Sequence, residues 1–327
     1  MHKLYFLFFL LTLSSCHKIK RAYTYDDIDF KAEMRKFVIH ISDYGKIQKP
    51  GFIIIAQNGV ELLTTTGQPN APLQRDYLNA LEGQSQEGLF FGYNTINEPT
   101  PVEKTQYLKK FLTKFRLQDK SVLVTDYCFE PDVIQASRDS VKTNNFIGFQ
   151  APDVALNIIP AVRPYHENNA DILNLNQAQN YLYLINYEGF SSKSILMEKL
   201  SATNYDVLIL DLFFDQNTPF TSNEIQRLKT KANGGQRLVI SYLSIGEAED
   251  YRYYWQPHWV ADPPIWLDEE NPEWDGNYKV RYWEPGWQKI IYGNNQSYLK
   301  KIISAGFDGA FLDLIDAYEF FENKTNY

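Results

Sequence analysis

Short apolar runs recur along the chain at 52–56, 77–83, 121–125, 146–149, 181–185, 206–210, 238–243 and 307–312. Most mix Val, Ile, Leu and Phe without polar alternation, the pattern of strands covered on both faces. Stretches with helical spacing lie between them. Tyr107, Leu108, Phe111, Leu112 and Phe115 share one face of a helix over 104–115. Thr221 and Glu224 form a capping box that opens a helix running toward Lys231. Pro285, after Glu284, starts another, which carries Trp287, Ile290 and Ile291, resumes with Leu299, Ile302 and Ile303, and stops near Gly306. Eight strands alternating with helices predict an α/β fold, a single (β/α)8 TIM barrel. The helix after Phe149 is the least marked. Residues 161–178, with Pro164, His166 and several asparagines, read as an exposed connection between halves 29–160 and 179–322. Two separate domains would each be an open sheet with raw edges, so one closed barrel over 29–322 is expected.

The first residues have a different character. Lys3, an apolar run over 4–13 too short to span a bilayer, and Leu13-Ser14-Ser15-Cys16 have the form of a lipoprotein signal. This predicts removal of residues 1–15, a lipid on Cys16 and a tether over 16–28. The protein would then sit in the bacterial cell envelope, membrane-anchored through that lipid, in the periplasm or at the cell surface. Cys128 is the other cysteine, so no internal disulfide framework forms and a packed core must hold the fold. A 327-residue chain with 44% hydrophobic residues can bury one. The net charge of −8, one unit more negative without Lys3, argues against a nucleic-acid partner and favours a neutral or cationic ligand. A monomer is expected.

In barrels of this kind the chemistry sits at the C-terminal ends of strands. Those positions hold Gln57 and Asn58, Glu87, Asp126 with Tyr127, Asp211, Glu247, and Asp313 with Asp316, so six carboxylates converge from five strands. All six tryptophans fall between Trp255 and Trp287, in a loop rich in Pro, Asn and Asp. Flat indole faces beside carboxylates suit a sugar polymer. Other chemistries lack their residues. The chain has no HExxH or CxxC, His17, His40, His166 and His258 are scattered, and the carboxylate spacing matches no EF-hand, so neither metal nor cofactor is expected. Ser85 lacks the second glycine of a nucleophile elbow, and Gly234-Gly235 is no phosphate-binding fingerprint. Catalysis by paired carboxylates remains.

Three stretches, YLSIGEAEDYR at 242–252, NPEWDGNYKVRYW at 271–283 and AGFDGAFLDLIDAYE at 305–319, closely resemble the extracellular TIM-barrel proteins grouped with glycoside hydrolase family 114. That family's characterised activity is endo-α-1,4-polygalactosaminidase. Weaker matches lie upstream in IAQNG at 55–59, LEGQSQEGLFF at 81–91 and VTDY at 124–127. The resemblance implies a circular permutant, because in the family the stretch like 180–318 precedes the stretches like 34–149. It also implies a lipid-anchored glycosidase acting on a galactosamine-containing polysaccharide. Asp313 is implied as nucleophile or charge stabiliser and Glu87 as general acid/base, with Gln84 and Ser85 more polar than the family pattern. Asp211, Glu247, Asp316, Asp126, Tyr127, Gln57, Tyr242, Trp255 and Trp283 are the candidate substrate-binding residues. The alternatives are a carbohydrate-binding envelope lipoprotein that no longer hydrolyses, and a structural envelope protein whose aromatic loop docks a partner.

Overall fold

Eight strands run parallel around a barrel in a computed structural model that describes residue 25 and residues 27–325. They are β1 (Ile53–Gln57), β2 (Gly83–Glu87), β3 (Ser121–Tyr127), β4 (Ile147–Ala151), β5 (Tyr181–Leu184), β6 (Val207–Leu210), β7 (Leu238–Ser244) and β11 (Gly309–Asp313). Between β7 and β11 a smaller antiparallel sheet of β8 (Glu247–Glu249), β9 (Leu267–Glu270) and β10 (Asn277–Val280) branches from the mouth. The helices are α1 (Phe30–Gln48), α2 (Arg75–Ala80), α3 (Val102–Arg116), α4 (Pro131–Thr143), α5 (Lys193–Ser201), α6 (Ser222–Leu228), α7 (Pro285–Ile291), α8 (Tyr298–Ala305) and α9 (Tyr318–Thr325). The expected TIM barrel is therefore the fold. The signal and most of the tether lie outside the described residues.

The spatial order is β4-β3-β2-β1-β11-β7-β6-β5, and β4 meets β5 through one parallel bridge, Gly148 to Asn180. The first and last barrel strands pair fully, from Ile53 opposite Gly309 to Ala56 opposite Leu312. The thin seam therefore falls in mid-chain. No α-helix occurs between β4 and β5 among the described residues. Residues 161–178 differ in part from the exposed connection expected: Ile172 and Leu175 are buried. Leu175 lies on a 3-10 turn under the barrel, where a Cβ on Gly83 would come within 2.7 Å of its Cδ2. The connection thus plugs the N-terminal end of the barrel.

One expected strand is wrong. Residues 77–83 are not a strand, because Tyr77 and Leu78 belong to α2 and β2 starts at Gly83. Tyr77, Leu78 and Leu81 have helical spacing, while the true strand, GQSQE, is polar and carries no hydrophobic signature. The Thr221 capping box forms, with Glu224 accepting from the Thr221 N–H at 2.7 Å, and its helix ends at Leu228, short of Lys231. Gly306 ends α8 in the left-handed region at φ 94°, which glycine adopts without a Cβ penalty.

A buried ion pair ties the mid-chain connection to the barrel. Lys231 Nζ lies 3.0 Å from Asp206 with both side chains fully buried, and Asp206 also accepts from the Gln179 N–H at 2.8 Å. Lys231 further donates to the Asn168 carbonyl at 3.1 Å, inside the connection. Removing one member strands a buried charge, so Lys231→Met should cost about 3–5 kcal/mol in chemical denaturation. Adding Asp206→Leu should recover most of that loss. A single variant as stable as the wild type would show that the pair contributes no net stability.

Candidate active site

Alternation along the strands decides what faces the barrel interior. Phe311 and Tyr183 meet inside with ring centroids 4.9 Å apart, which places Gly309, Phe311 and Asp313 on the inner face of β11. The ladder registers carry the same parity to Ile55 and Gln57 on β1, to Ser85 and Glu87 on β2, and to Thr125 and Tyr127 on β3. The lower inner layers are filled by residues such as Ile55 and Phe311. The top layer is polar.

Two carboxyl groups stand in that layer, each held by a tyrosine. The Tyr127 hydroxyl donates to Glu87 Oε1 at 2.7 Å, and the Tyr242 hydroxyl donates to Asp313 Oδ2 at 2.9 Å. Asp313 also accepts from the Leu314 N–H at 2.8 Å. Burial, then the charges of Glu87 and Asp316, push Asp313 up to about 8. Burial likewise raises Glu87, opposed by the Tyr127 hydroxyl and by the nearby Gln57 and Asn58 amides. Asp316, on the turn after β11, is pushed up to about 7 by burial and then by Glu319. One strand, β1, separates the two that carry the pair.

Glu87, Tyr127 and Asp316 open on a cavity of about 260 Å³ at the rim, also lined by Asn58, Glu61, Tyr93, Lys104 and Glu319. Asn58 shapes its edge from the left-handed region at φ 59°. Its Oδ1 accepts from the Glu87 N–H at 3.2 Å and from Gln86 Nε2 at 3.0 Å. Gly92 must be glycine here, since its φ is +86° and a Cβ would lie 2.5 Å from that of Tyr127. Four acidic groups face one lysine in this cavity, so a cationic ligand suits it.

The remaining carboxylates have other partners. Asp126 faces away from the interior, toward α4, where it accepts from Ser137 at 2.7 Å and from the Phe90 and Phe91 N–H groups at 2.9 and 3.2 Å. Burial pushes it up to about 6 while those donors pull it down. Asp211 takes both ends of the Arg252 guanidinium, at 3.0 and 2.6 Å. Arg252 also donates to Glu249 at 2.5 Å, so it clamps the small sheet to the end of β6. Glu247 pairs with Lys279 and accepts from Asn271 at 2.8 Å. Of the six sequence candidates, Glu87 and Asp316 line one opening, Asp313 stands on the inner face of β11 beside them, and three hold loops in place. Sequence reasoning missed Glu61, Lys104 and Glu319, which enter from the starts of helices and turns rather than from strand ends.

The tryptophans form packing more than surface. Trp266 and Trp287 are buried, and the Trp287 N–H donates to the Ile245 carbonyl at 2.8 Å. Trp255, Trp259, Trp266 and Trp287 pack in sequence at 5.3, 4.9 and 5.2 Å between ring centroids. Trp283 turns toward α1 and α9, 5.3 Å from Phe30 and 4.7 Å from Phe321. Trp274, at 55% exposure, presents its face outward. The cluster secures the branch over the mouth.

Among the described residues no group of three His, Cys, Asp or Glu side chains could hold a metal ion. Known sequences resemble part of the chain. An uncharacterized protein of Methanocaldococcus jannaschii is 39% identical over 155 residues, 47% of this chain and 42% of that relative. Uncharacterized proteins of Deinococcus radiodurans and Thermotoga maritima are 42% and 36% identical over 120 and 128 residues, covering 37% and 38% of this chain. The matches span about two fifths of each relative's length, at 42%, 36% and 37%. Residues 167–327, which carry Asp211, Glu247, Asp313 and Asp316, match the sequence profile of glycoside-hydrolase family GH114, and this part of the chain belongs to that family.

Proposed function

We propose that this protein hydrolyses glycosidic bonds in an amino-sugar polysaccharide, with Glu87 and Asp313 as its carboxyl pair. The observation that carries the reading is the pair itself: two half-buried acids on strands either side of β1, each fixed by a tyrosine, beside an acidic cavity. Glycoside hydrolysis needs one carboxyl that gives a proton to the leaving oxygen and one that stabilises or captures the sugar cation. Burial supplies the first requirement, because it keeps a proton on the pair near neutral pH. Glu87 lines the cavity and Asp313 lies deeper, which suits Glu87 as acid/base and Asp313 as nucleophile or charge stabiliser. An ammonium group docked near Asp316 favours ionised Asp313 and leaves the shared proton on Glu87. A galactosamine-containing chain, partly deacetylated and so cationic, fits the cavity's charge.

Lipid anchoring at Cys16 in the bacterial envelope belongs to the same proposal, resting on the sequence before it. So does the permutation. The family profile covers residues 167–327, and the barrel's thin seam lies in mid-chain beside that boundary, where the family's own ends would meet.

Release of reducing ends from partly deacetylated polygalactosamine tests the activity. Glu87→Gln and Asp313→Asn should each lower turnover by about 10²-fold or more. Glu247→Gln should stay within about tenfold and instead lose stability, since it breaks the Lys279 pair. A dead Glu247→Gln beside two active pair variants would overturn the assignment.

The pH dependence has a definite sign. The pair's proton leaves at about 8, so kcat/KM should fall as pH rises through that value. Asp313 is raised above its unfolded value of about 4, so the folded state holds a proton that the unfolded state releases. Its burial therefore costs stability increasingly as pH rises from about 4 to about 8. Asp313→Asn removes that cost, and its Tm gain over wild type should be larger at pH ~8 than at pH ~5. An equal difference at both pH values would mean that Asp313 titrates as an ordinary aspartate.

A further inference from the structure

Gln57 ends β1, the strand between those that carry the acid pair. Its Cα partner on β2 is Ser85, and the β11 ladder ends one step below at Ala56 opposite Leu312, so the register carries Gln57 level with Asp313. Glu87 lies one inward position above Ser85. Gln57 is fully buried, and neither its Nε2 nor its Oε1 has a hydrogen-bond partner among the described residues. Nearby glutamines leave only Oε1 unpaired and keep the N–H bonded: Gln84 Nε2 donates to the Asn58 carbonyl at 2.6 Å, and Gln86 Nε2 to the Asn58 side chain at 3.0 Å. Packing gives no reason for an amide at this position. A methionine would fill similar volume without leaving polar atoms unpaired, and an unpaired buried amide destabilises the fold.

We infer that Gln57 is a positioning residue for the acid pair, its unpartnered amide turning to donate to whichever carboxyl is ionised during turnover. The inference rests on the pair acting as proposed above. A carboxylate that loses its proton in a site shielded from water needs a new donor, and Gln57, itself fully buried, stands level with Asp313. The tyrosine hydroxyls already serve one oxygen each, through Tyr127 on Glu87 and Tyr242 on Asp313. Gln57 supplies the next N–H without a main-chain movement. Without a formed hydrogen bond, its amide lies near enough to favour the ionised form of Glu87, against burial. The other titratable groups facing the pair are Tyr127, Tyr181, Tyr183, Tyr242 and Asp316, none of them cationic.

The test is Gln57→Met in the full chain, with Gln57→Leu as a second variant should the first not fold. Infrared titration of the buried carboxyl C=O bands reads the pair without substrate. The pair's midpoints should move up by about one pH unit, because a donor to the ionised form is gone. The melting temperature should hold or rise. On partly deacetylated polygalactosamine, kcat should fall about 10- to 100-fold with KM changed less than about twofold. Unchanged carboxyl midpoints overturn the inference, as does a lower melting temperature with an unshifted pH profile, which marks a purely structural glutamine. If the wild type leaves the polymer intact while the midpoints still move in the variant, the proposed activity fails and the role of Gln57 toward the pair stands.

Discussion

The ladder between β1 and β11 is the join on which the mouth of the barrel depends. It brings the first and last barrel strands together at one register, and that register sets Gln57 beside Asp313 and places Glu87 one strand further on. Close approach fixes it. A Cβ on Gly309 would lie 2.3 Å from the Ile53 carbonyl oxygen, so only glycine lets the two backbones meet there. A second contact of this kind lies above it, where a Cβ on Gly246 would come within 2.2 Å of the Leu314 carbonyl oxygen. Backbone packing therefore aims Asp313 from both sides.

The carboxylates around this join divide by what neutralises them. Asp211, Glu247 and Glu249 meet Arg252 or Lys279 and serve as anchors for the small sheet. Glu87, Asp313 and Asp316 are kept among tyrosines and other acids, with no ion pair to them among the described residues, so burial outweighs the groups that favour their ionised forms. Opposite charges make a fixed scaffold and like charges make a reactive opening. The tryptophan chain and Arg252 serve the scaffold side by holding the branch over the mouth.

Much of this was legible in the sequence. Seven of the expected runs overlap strands, because strands buried on both faces must be apolar throughout. The eighth, β2, was hidden since its residues line the site and are polar for that reason. Helix α1 was overlooked although Phe30, Met34, Phe37, Val38 and Ile41 have helical spacing and Asp29 caps it. Rim chemistry was harder to read. Asp126 and Tyr127 are adjacent at one strand end, and a single step of register decides which faces inward. The partners that commit Asp211 and Glu247 to structure stand 41 and 32 residues away, a distance over which spacing carries no signal. Clustering in sequence serves mutual packing for four of the tryptophans, and a count of aromatics does not distinguish a platform from a core.

The thin seam between β4 and β5 divides the barrel into two sets of consecutive strands, β1 to β4 and β5 to β11, each of which pairs internally. Their main union is the ladder between the chain's first and last barrel strands, the barrel pairing of greatest separation in sequence. Glu87 arises in the first set and Asp313 in the second. During synthesis the ribosome must release nearly the whole polypeptide before the two acids can meet, so every truncated or half-folded product lacks the pair. Chemistry in this architecture is the last thing to appear, and its presence certifies that the barrel has closed.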